Sequence, residues 1–210
     1  MAQQSMIFKR FSEIQVDVDG GIPVLPFLDA CSAILPFFDV LGTTAFAPMK
    51  SDISGNIQKI RAKFLSSEGV YRTLQDMVQK EILNKSTQAK NSITEALLWL
   101  KRAVGFHREF LREFLTGEED LVKVSKKAYE LTLKTYHGWM VQGIFSLAMK
   151  AVPHRDNFIK RLTSAEYGTP NVKEEQLLSD VKSYVEDITR ITDILQTYYL
   201  EKNLDNDTKV

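Results

Sequence analysis

The sequence predicts an all-α protein, and three observations carry that expectation. Apolar residues recur three and four positions apart over most of the chain. No stretch alternates apolar with polar residues as a half-buried strand would, and no internal repeat or low-complexity segment is present. At 210 residues the chain can bury one sizeable core, so a single domain of helices stacked in layers follows. Lys plus Arg equals Asp plus Glu at 27 each, which removes the basic field that nucleic-acid binding requires and leaves any membrane attraction to local patches.

Residues 1–21 have mixed polarity and end in Asp17-Val18-Asp19-Gly20-Gly21, which reads as a flexible lead-in and a turn before a domain over 22–210. The twelfth position from Asp17 is Leu28 instead of a bidentate Glu, so this is no calcium loop. From Ile22 to Gly42, Phe27, Ala30, Cys31, Ile34, Phe37, Phe38 and Leu41 keep helical spacing, with a bend or restart near Pro36. Pro48 suits the start of a helix from Met49 to Leu65, and another follows from Tyr71 to Leu83.

The stretch from Ser92 to Leu115 is the most hydrophobic and is apolar on two faces. Ile93, Leu97, Leu100, Val104 and Leu111 form one stripe; Ala96, Trp99, Ala103, Phe106, Phe110 and Phe114 form the other. A helix apolar over so wide an arc lies between layers or lines a cavity. One long helix is expected from Leu121 to Val152, ended by Pro153. A short one near Asn157 to Thr163 precedes a Tyr167-Gly168-Thr169-Pro170 loop, and a last helix runs from Lys173 to Leu204. This makes seven or eight helices.

Asp29, Asp39, Lys101 and Lys150 interrupt the most apolar stretches, so none approaches the ~20 residues of a membrane span. The start, Met1-Ala2-Gln3-Gln4-Ser5, lacks the basic leader and apolar core of a secretory signal. The one cysteine, Cys31, sits in an apolar run and reads as a small buried hydrophobe. A soluble, cytoplasmic protein is the expectation.

Catalytic signatures are missing: no Gly-x-Ser-x-Gly elbow, no phosphate loop and no His-Glu-x-x-His. His107, His137 and His154 have no paired-ligand spacing, so neither enzyme nor metal nor cofactor is expected. What remains is a polar row. Asp52, Asn56 and Lys59, at i, i+4 and i+7, put an acceptor, an amide and a cation on one helix face, an arrangement suited to a hydroxyl-rich ligand and equally to a solvated surface. Twelve phenylalanines serve either as core or as the lining of an acyl-chain pocket.

Five blocks decide between these readings by resemblance. Pro36-Phe37-Phe38-Asp39, Phe46-x-Pro48, Asp52-Ile53-Ser54-Gly55-Asn56-Ile57-x-Lys59, Leu98-Trp99-Leu100-Lys101-Arg102 and Tyr136-His137-Gly138-Trp139-x-Val141-Gln142 resemble the glycolipid transfer protein family in order and spacing. The likeness runs from about Ile22 to the C-terminus and suits a free-standing member. It implies a two-layer sandwich of about eight helices enclosing a lipid, and non-enzymatic transfer of glycosphingolipids between membranes. A sensor or adaptor that binds the same lipid and signals through a protein partner is the alternative.

By the same resemblance, Asp52, Asn56 and Lys59 hold the first sugar, Trp99 stacks on its ring, and Asp52 and His137 bind the ceramide amide N–H and carbonyl. Phe37, Phe38, Phe46, Phe106, Phe110, Leu133, Met140, Phe145 and Phe158 match chain-lining positions. Trp139 matches the aromatic that docks on the bilayer, with Tyr129 and Lys150 as further docking candidates. Lys101 and Arg102 meet lipid phosphates or form a solvated face. The chain departs from the family where some members have a leucine, here Glu95, and a C-terminal tyrosine, here Thr208, so the outer headgroup preference is left open. The intact row implies glycolipid rather than a phosphate headgroup.

Overall fold

The computed structural model describes residues 10–67, 69–164 and 172–210. Among them are nine α-helices: α1 Val24–Ser32, α2 Leu35–Gly42, α3 Ala47–Leu65, α4 Leu74–Leu83, α5 Ile93–Phe114, α6 Leu121–Thr132, α7 Trp139–Met149, α8 Arg155–Leu162 and α9 Glu174–Glu201. A 3₁₀ turn, Lys134–Tyr136, follows α6, and the only bridge pairing described joins Pro23 to Thr73. The fold is an all-α, two-layer helical sandwich, as the sequence led us to expect. The loop expected at Tyr167 to Pro170 lies outside the described residues.

The central element is α5. It packs against α3, α4, α6 and α9, which is why its apolar residues spread over a wide arc. Its N-terminus is fixed twice over. Ser92 accepts from the Glu95 N–H at 3.0 Å, and the Glu81 carboxylate of α4 accepts from Ile93 N at 2.8 Å, Thr94 N at 2.9 Å and the Thr94 hydroxyl at 2.7 Å.

Two expected helices are broken, which raises the count to nine. The first break separates α1 from α2, with Pro36 in the first turn of the new helix, as its fixed φ favours. By length and composition the Val24–Gly42 stretch is apolar enough to cross a membrane. Here its two short helices turn Phe27, Leu28, Phe37, Phe38 and Leu41 into the core.

The second break corrects the single helix expected from Leu121 to Val152. His137 and Gly138 are extended, with ψ of 132° and 171°. The chain exchanges helical bonds for a pairing with the last residues: Gly138 N donates to Val210 O at 2.7 Å and Val210 N to Tyr136 O at 3.1 Å. A Cβ at Gly138 would sit 3.1 Å from Val210 O, so glycine permits the close approach. Gln142 Nε2 then donates to His137 O at 2.7 Å, capping the bend.

The start of α4 also lies three residues later than periodicity placed it. Thr73 closes a capping box with Asp76: Asp76 N donates to Thr73 Oγ1 at 3.1 Å and Thr73 N to Asp76 Oδ2 at 2.9 Å.

The segment from Arg10 to Gly21, expected as a flexible lead-in, is tied to the core. Phe11 and Ile14 are buried, the Phe11 ring meets Phe27 and Tyr184 edge-on, and Arg190 donates to the carbonyls of Phe11 and Ile14. Two apolar residues three positions apart, Phe11 and Ile14, are too short a signal to read as an element from sequence. Cys31 is buried and free, and burial pushes its thiol well up, as fits a small core hydrophobe.

Candidate functional site

Helix α3 carries the polar row, and it does form a line. Asn56 Nδ2 donates to Asp52 Oδ2 at 3.3 Å. Asp52 stays open to solvent on one side, while Asn56 is buried and Lys59 half-buried. Crowding by protein raises the Asp52 carboxyl above its ordinary value, and the Lys59 charge and the Asn56 bond pull it only part of the way back. The carboxylate is therefore poised for further donors, because its resident hydrogen bond is long.

Asp52 lies at the edge of a cavity of about 330 Å³. Pro48, Met49 and Ile53 of the α3 segment form one wall, Trp99 and Ala103 of α5 a second, and Leu133, His137, Val141, Ile144, Phe145 and Val210 the remainder. The lining is mostly apolar with two polar side chains, Asp52 and His137, at the edge. That is the character of a site for an apolar chain with a polar end.

The break before α7 places His137. Extended backbone turns its ring into the wall, 5.9 Å from Trp99 with 16° between planes, and 4.8 Å from Phe145. Tyr129 comes within 3.1 Å of His137 Nδ1 through its hydroxyl and stacks on Phe145 at 4.7 Å. Burial, helped by the Arg102 charge, lowers the His137 pKa to about 4, and burial pushes the Tyr129 hydroxyl up to about 12. At neutral pH both are uncharged.

Tyr129, expected among docking residues, is thus 3% exposed and belongs to the wall behind His137. Its side chain points inward because α6 packs on α5 along the Leu121, Val124, Ala128 stripe that it continues. The other two docking candidates are exposed. Trp139 is 83% exposed, and Lys150 lies at the far end of α7. Met140, expected to line the chain pocket, is instead 63% exposed beside Trp139, and Ile144 and Leu147 extend the same apolar face. The helix restarts at Trp139, so its phase differs from that of the unbroken helix that had turned Met140 inward.

Leu133 and Phe145 line the cavity as expected. Phe37, Phe38, Phe46, Phe106, Phe110 and Phe158 do not. They form a closed cluster with ring centroids 5.2 to 6.4 Å apart for the pairs Phe37–Phe110 and Phe38–Phe106, among others. The cluster begins where the cavity ends, since Met49 and Ala103 of the wall are three residues from Phe46, which precedes α3, and from Phe106 of α5. His107 sits inside it, 4.3 Å from Phe37 and fully buried, with neither ring nitrogen bonded among the described residues; burial lowers its pKa to about 3.

Lys101 and Arg102 are neither a solvated face nor free for phosphate. They are 5% and 6% exposed and both pair with Asp205. Glu95 and Thr208 line a second cavity of about 280 Å³ with Thr87, Gln88, Thr94, Leu98, Asn203, Leu204 and Asn206. Its hydroxyls, amides and carboxylate contrast with the apolar cavity on the other side of the same α5 turn. Among the described residues no cluster of His, Cys, Asp or Glu could hold a metal.

Residues 22–164 match the family model for glycolipid transfer protein. The chain belongs to the glycolipid transfer protein family. It is 37% identical to the glycolipid transfer protein of Danio rerio over 203 residues, 93% of this chain and 95% of that one. It is also 42% identical over 206 residues to pleckstrin homology domain-containing family A member 8 of Danio rerio; this covers 97% of the chain but only 37% of that longer relative. The chain spans about two-fifths of the length of the first curated relatives it matches.

Among solved structures, the glycolipid-transfer fold of FAPP2, described as selecting simple glycosphingolipids, superposes with a TM-score of 0.89 at 38% identity over 98% of both chains. The fungal glycolipid transfer protein HET-C2 gives 0.81 at 29% identity over 97% of both. Ceramide-1-phosphate transfer proteins share the fold, with a TM-score of 0.83 at 24% identity for the mouse protein.

Proposed function

We propose that this chain extracts a glycosphingolipid from one membrane and carries it to another without chemical change. One observation carries the reading: Asp52, Trp99 and His137, drawn from three separate segments, meet at the edge of an apolar cavity that is flanked by the exposed apolar face of α7. A carboxylate accepts from sugar hydroxyls and an amide N–H. The Tyr129 hydroxyl lies 3.1 Å from His137 Nδ1, and in the tautomer in which Nδ1 accepts from it, Nε2–H is left to donate to an amide carbonyl. Asn56 and Lys59 continue the row toward the remaining sugar hydroxyls, and the indole of Trp99 offers a platform for the C–H face of the ring.

The acyl chains enter past Leu133 and Phe145 and part the phenylalanine cluster. Each buried methylene is worth ~0.8 kcal/mol in either the protein or the bilayer, so the chains are nearly neutral and the headgroup contacts select the lipid. Trp139, Met140, Ile144 and Leu147 dock at the membrane surface, and Lys150 reaches anionic headgroups. The work is done on cytosolic leaflets, where a free Cys31 stays reduced.

The test is transfer of glucosylceramide, galactosylceramide and phosphatidylcholine between vesicles. Both glycolipids move faster than the phospholipid, many per protein molecule, and Asp52→Val abolishes the difference while the fold persists. One lipid retained per protein, or unchanged selectivity in Asp52→Val, refutes the reading.

A further inference from the structure

Where α5 meets the segment after α9, two cations lie side by side in the interior and share one anion. Lys101 Nζ donates to Asp205 Oδ2 at 2.9 Å, Arg102 to Asp205 Oδ1 at 2.9 Å, and Gln196 Nε2 adds a third bond at 2.9 Å. Burial by itself raises the Asp205 carboxyl, and the bonds from Lys101, Gln196 and Arg102 more than reverse it, so the group stays ionised. A network of this kind is costly to desolvate and contributes geometry more than net stability.

The geometry it fixes points in two directions. Toward the apolar cavity, the Arg102 guanidinium lies 3.4 Å from the centre of the Tyr136 ring and 5.0 Å from that of Trp99. The indole therefore has both Arg102 and His137 as neighbours. Along the chain, Arg102 also donates to the Asn206 carbonyl, Thr208 N donates to the Asn206 side chain at 3.1 Å, and Val210 is bonded to Tyr136 and Gly138. Those bonds set Asn206 and Thr208 as a wall of the polar cavity and Val210 as a wall of the apolar one.

We propose that Asp205 is a positioning residue for headgroup selection. It lines neither headgroup cavity. Through Arg102 it sets the plane of Trp99 for the first sugar, and through residues 206–210 it sets the wall against which a second neutral sugar lies, with Glu95 opposite. The inference rests on the transfer reading above. A purely structural staple in the same place would lower the melting temperature and slow every lipid alike; a positioning residue changes the ratio between lipids.

The experiment measures transfer of glucosylceramide and lactosylceramide between phosphatidylcholine vesicles for the parent, Asp205→Asn, Asp205→Glu and the double variant Lys101→Met with Asp205→Asn. The double variant keeps the net charge of the buried group, so it carries the test where the single one fails to fold. Trp99 emission is read for each in a Trp139→Phe background. Asp205→Asn and the double variant change the ratio of the two rates about tenfold, the factor associated with one lost charged hydrogen bond, and shift the Trp99 emission. Asp205→Glu returns both toward the parent. A folded variant with the parent's ratio and emission, or equal loss of both rates, overturns the proposal. If the parent moves neither glycolipid faster than phosphatidylcholine, the transfer reading has failed, and the Trp99 emission alone then decides whether Asp205 places the ring.

Discussion

Replacing Trp139 by Ala tests how the protein meets a bilayer, and the size of the effect follows from exposure. The indole is 83% exposed. A fully exposed indole offers roughly 200 Å², so about 170 Å² is free to leave water. At ~25 cal/mol per Å², complete transfer into an apolar layer would be worth about 4 kcal/mol, and half-immersion at the interface about 2 kcal/mol. With ~1.4 kcal/mol per factor of ten, Trp139→Ala lowers the vesicle partition coefficient about thirtyfold. The assay is co-sedimentation with phosphatidylcholine vesicles over a range of lipid concentration. Transfer slows with it, but the ratio of glycolipid to phospholipid does not change, because Trp139 lies outside the cavity that holds Asp52 and His137. A partition coefficient within threefold of the parent refutes the assignment of this face, as does a fall in glycolipid selectivity without a fall in binding.

Acid should loosen the fold. His107 and His137 have folded pKa values near 3 and 4 against an ordinary 6.5, so both are more readily protonated when unfolded; the stability they lend is complete above pH 6.5 and is lost as pH falls toward 4. Thermal melts from pH 7.5 to 4.5 check this, and a melting temperature that holds steady across that window contradicts the burial of the two rings. Thr73→Ala removes the cap of α4 and costs ~1 kcal/mol, seen as a drop of about 2 to 4 °C with headgroup ratios unaltered. A drop below half a degree would mean that Asp76 holds the turn without Thr73.

The architecture was legible because it rests on periodicity, and periodicity is a property of short windows. The wide apolar arc of α5 announced a central helix, and α3 and α9 run close to the spans that periodicity marked. The start of α4 was set locally, by the Thr73–Asp76 capping box, but the misplacements at the site were decided by long-range partners. Nothing local says that Gly138 will give up its helical bond for Val210, 72 positions away, yet that exchange turns His137 inward, rotates Met140 outward and joins Tyr129 to the wall. Lys101 and Arg102 read as a surface pair until Asp205 is seen to bury them. Asp52 stood out by its helical spacing with Asn56 and Lys59, Trp99 and His137 were given site roles through the resemblance, and their meeting at one cavity is a fact of tertiary structure that no spacing encoded.

The division of labour in the site follows from its chemistry. The phenylalanine cluster is closed, with Phe37, Phe38, Phe106 and Phe110 in edge and stacked contact, so in the proposed transfer cycle a chain enters only by replacing ring contacts with methylene contacts of similar worth. Such an exchange is nearly balanced and tolerates chains of different length. The polar edge has no comparable tolerance. On that reading, a sugar that leaves Asp52 without a donor strands a crowded carboxylate whose side-chain hydrogen bond from Asn56 is 3.3 Å long, and a lipid without an amide leaves the His137 ring unanswered. On the proposed transfer reading, selectivity resides where the partners are few and fixed, at Asp52, Trp99 and His137, and the apolar interior sets only how much lipid can be carried.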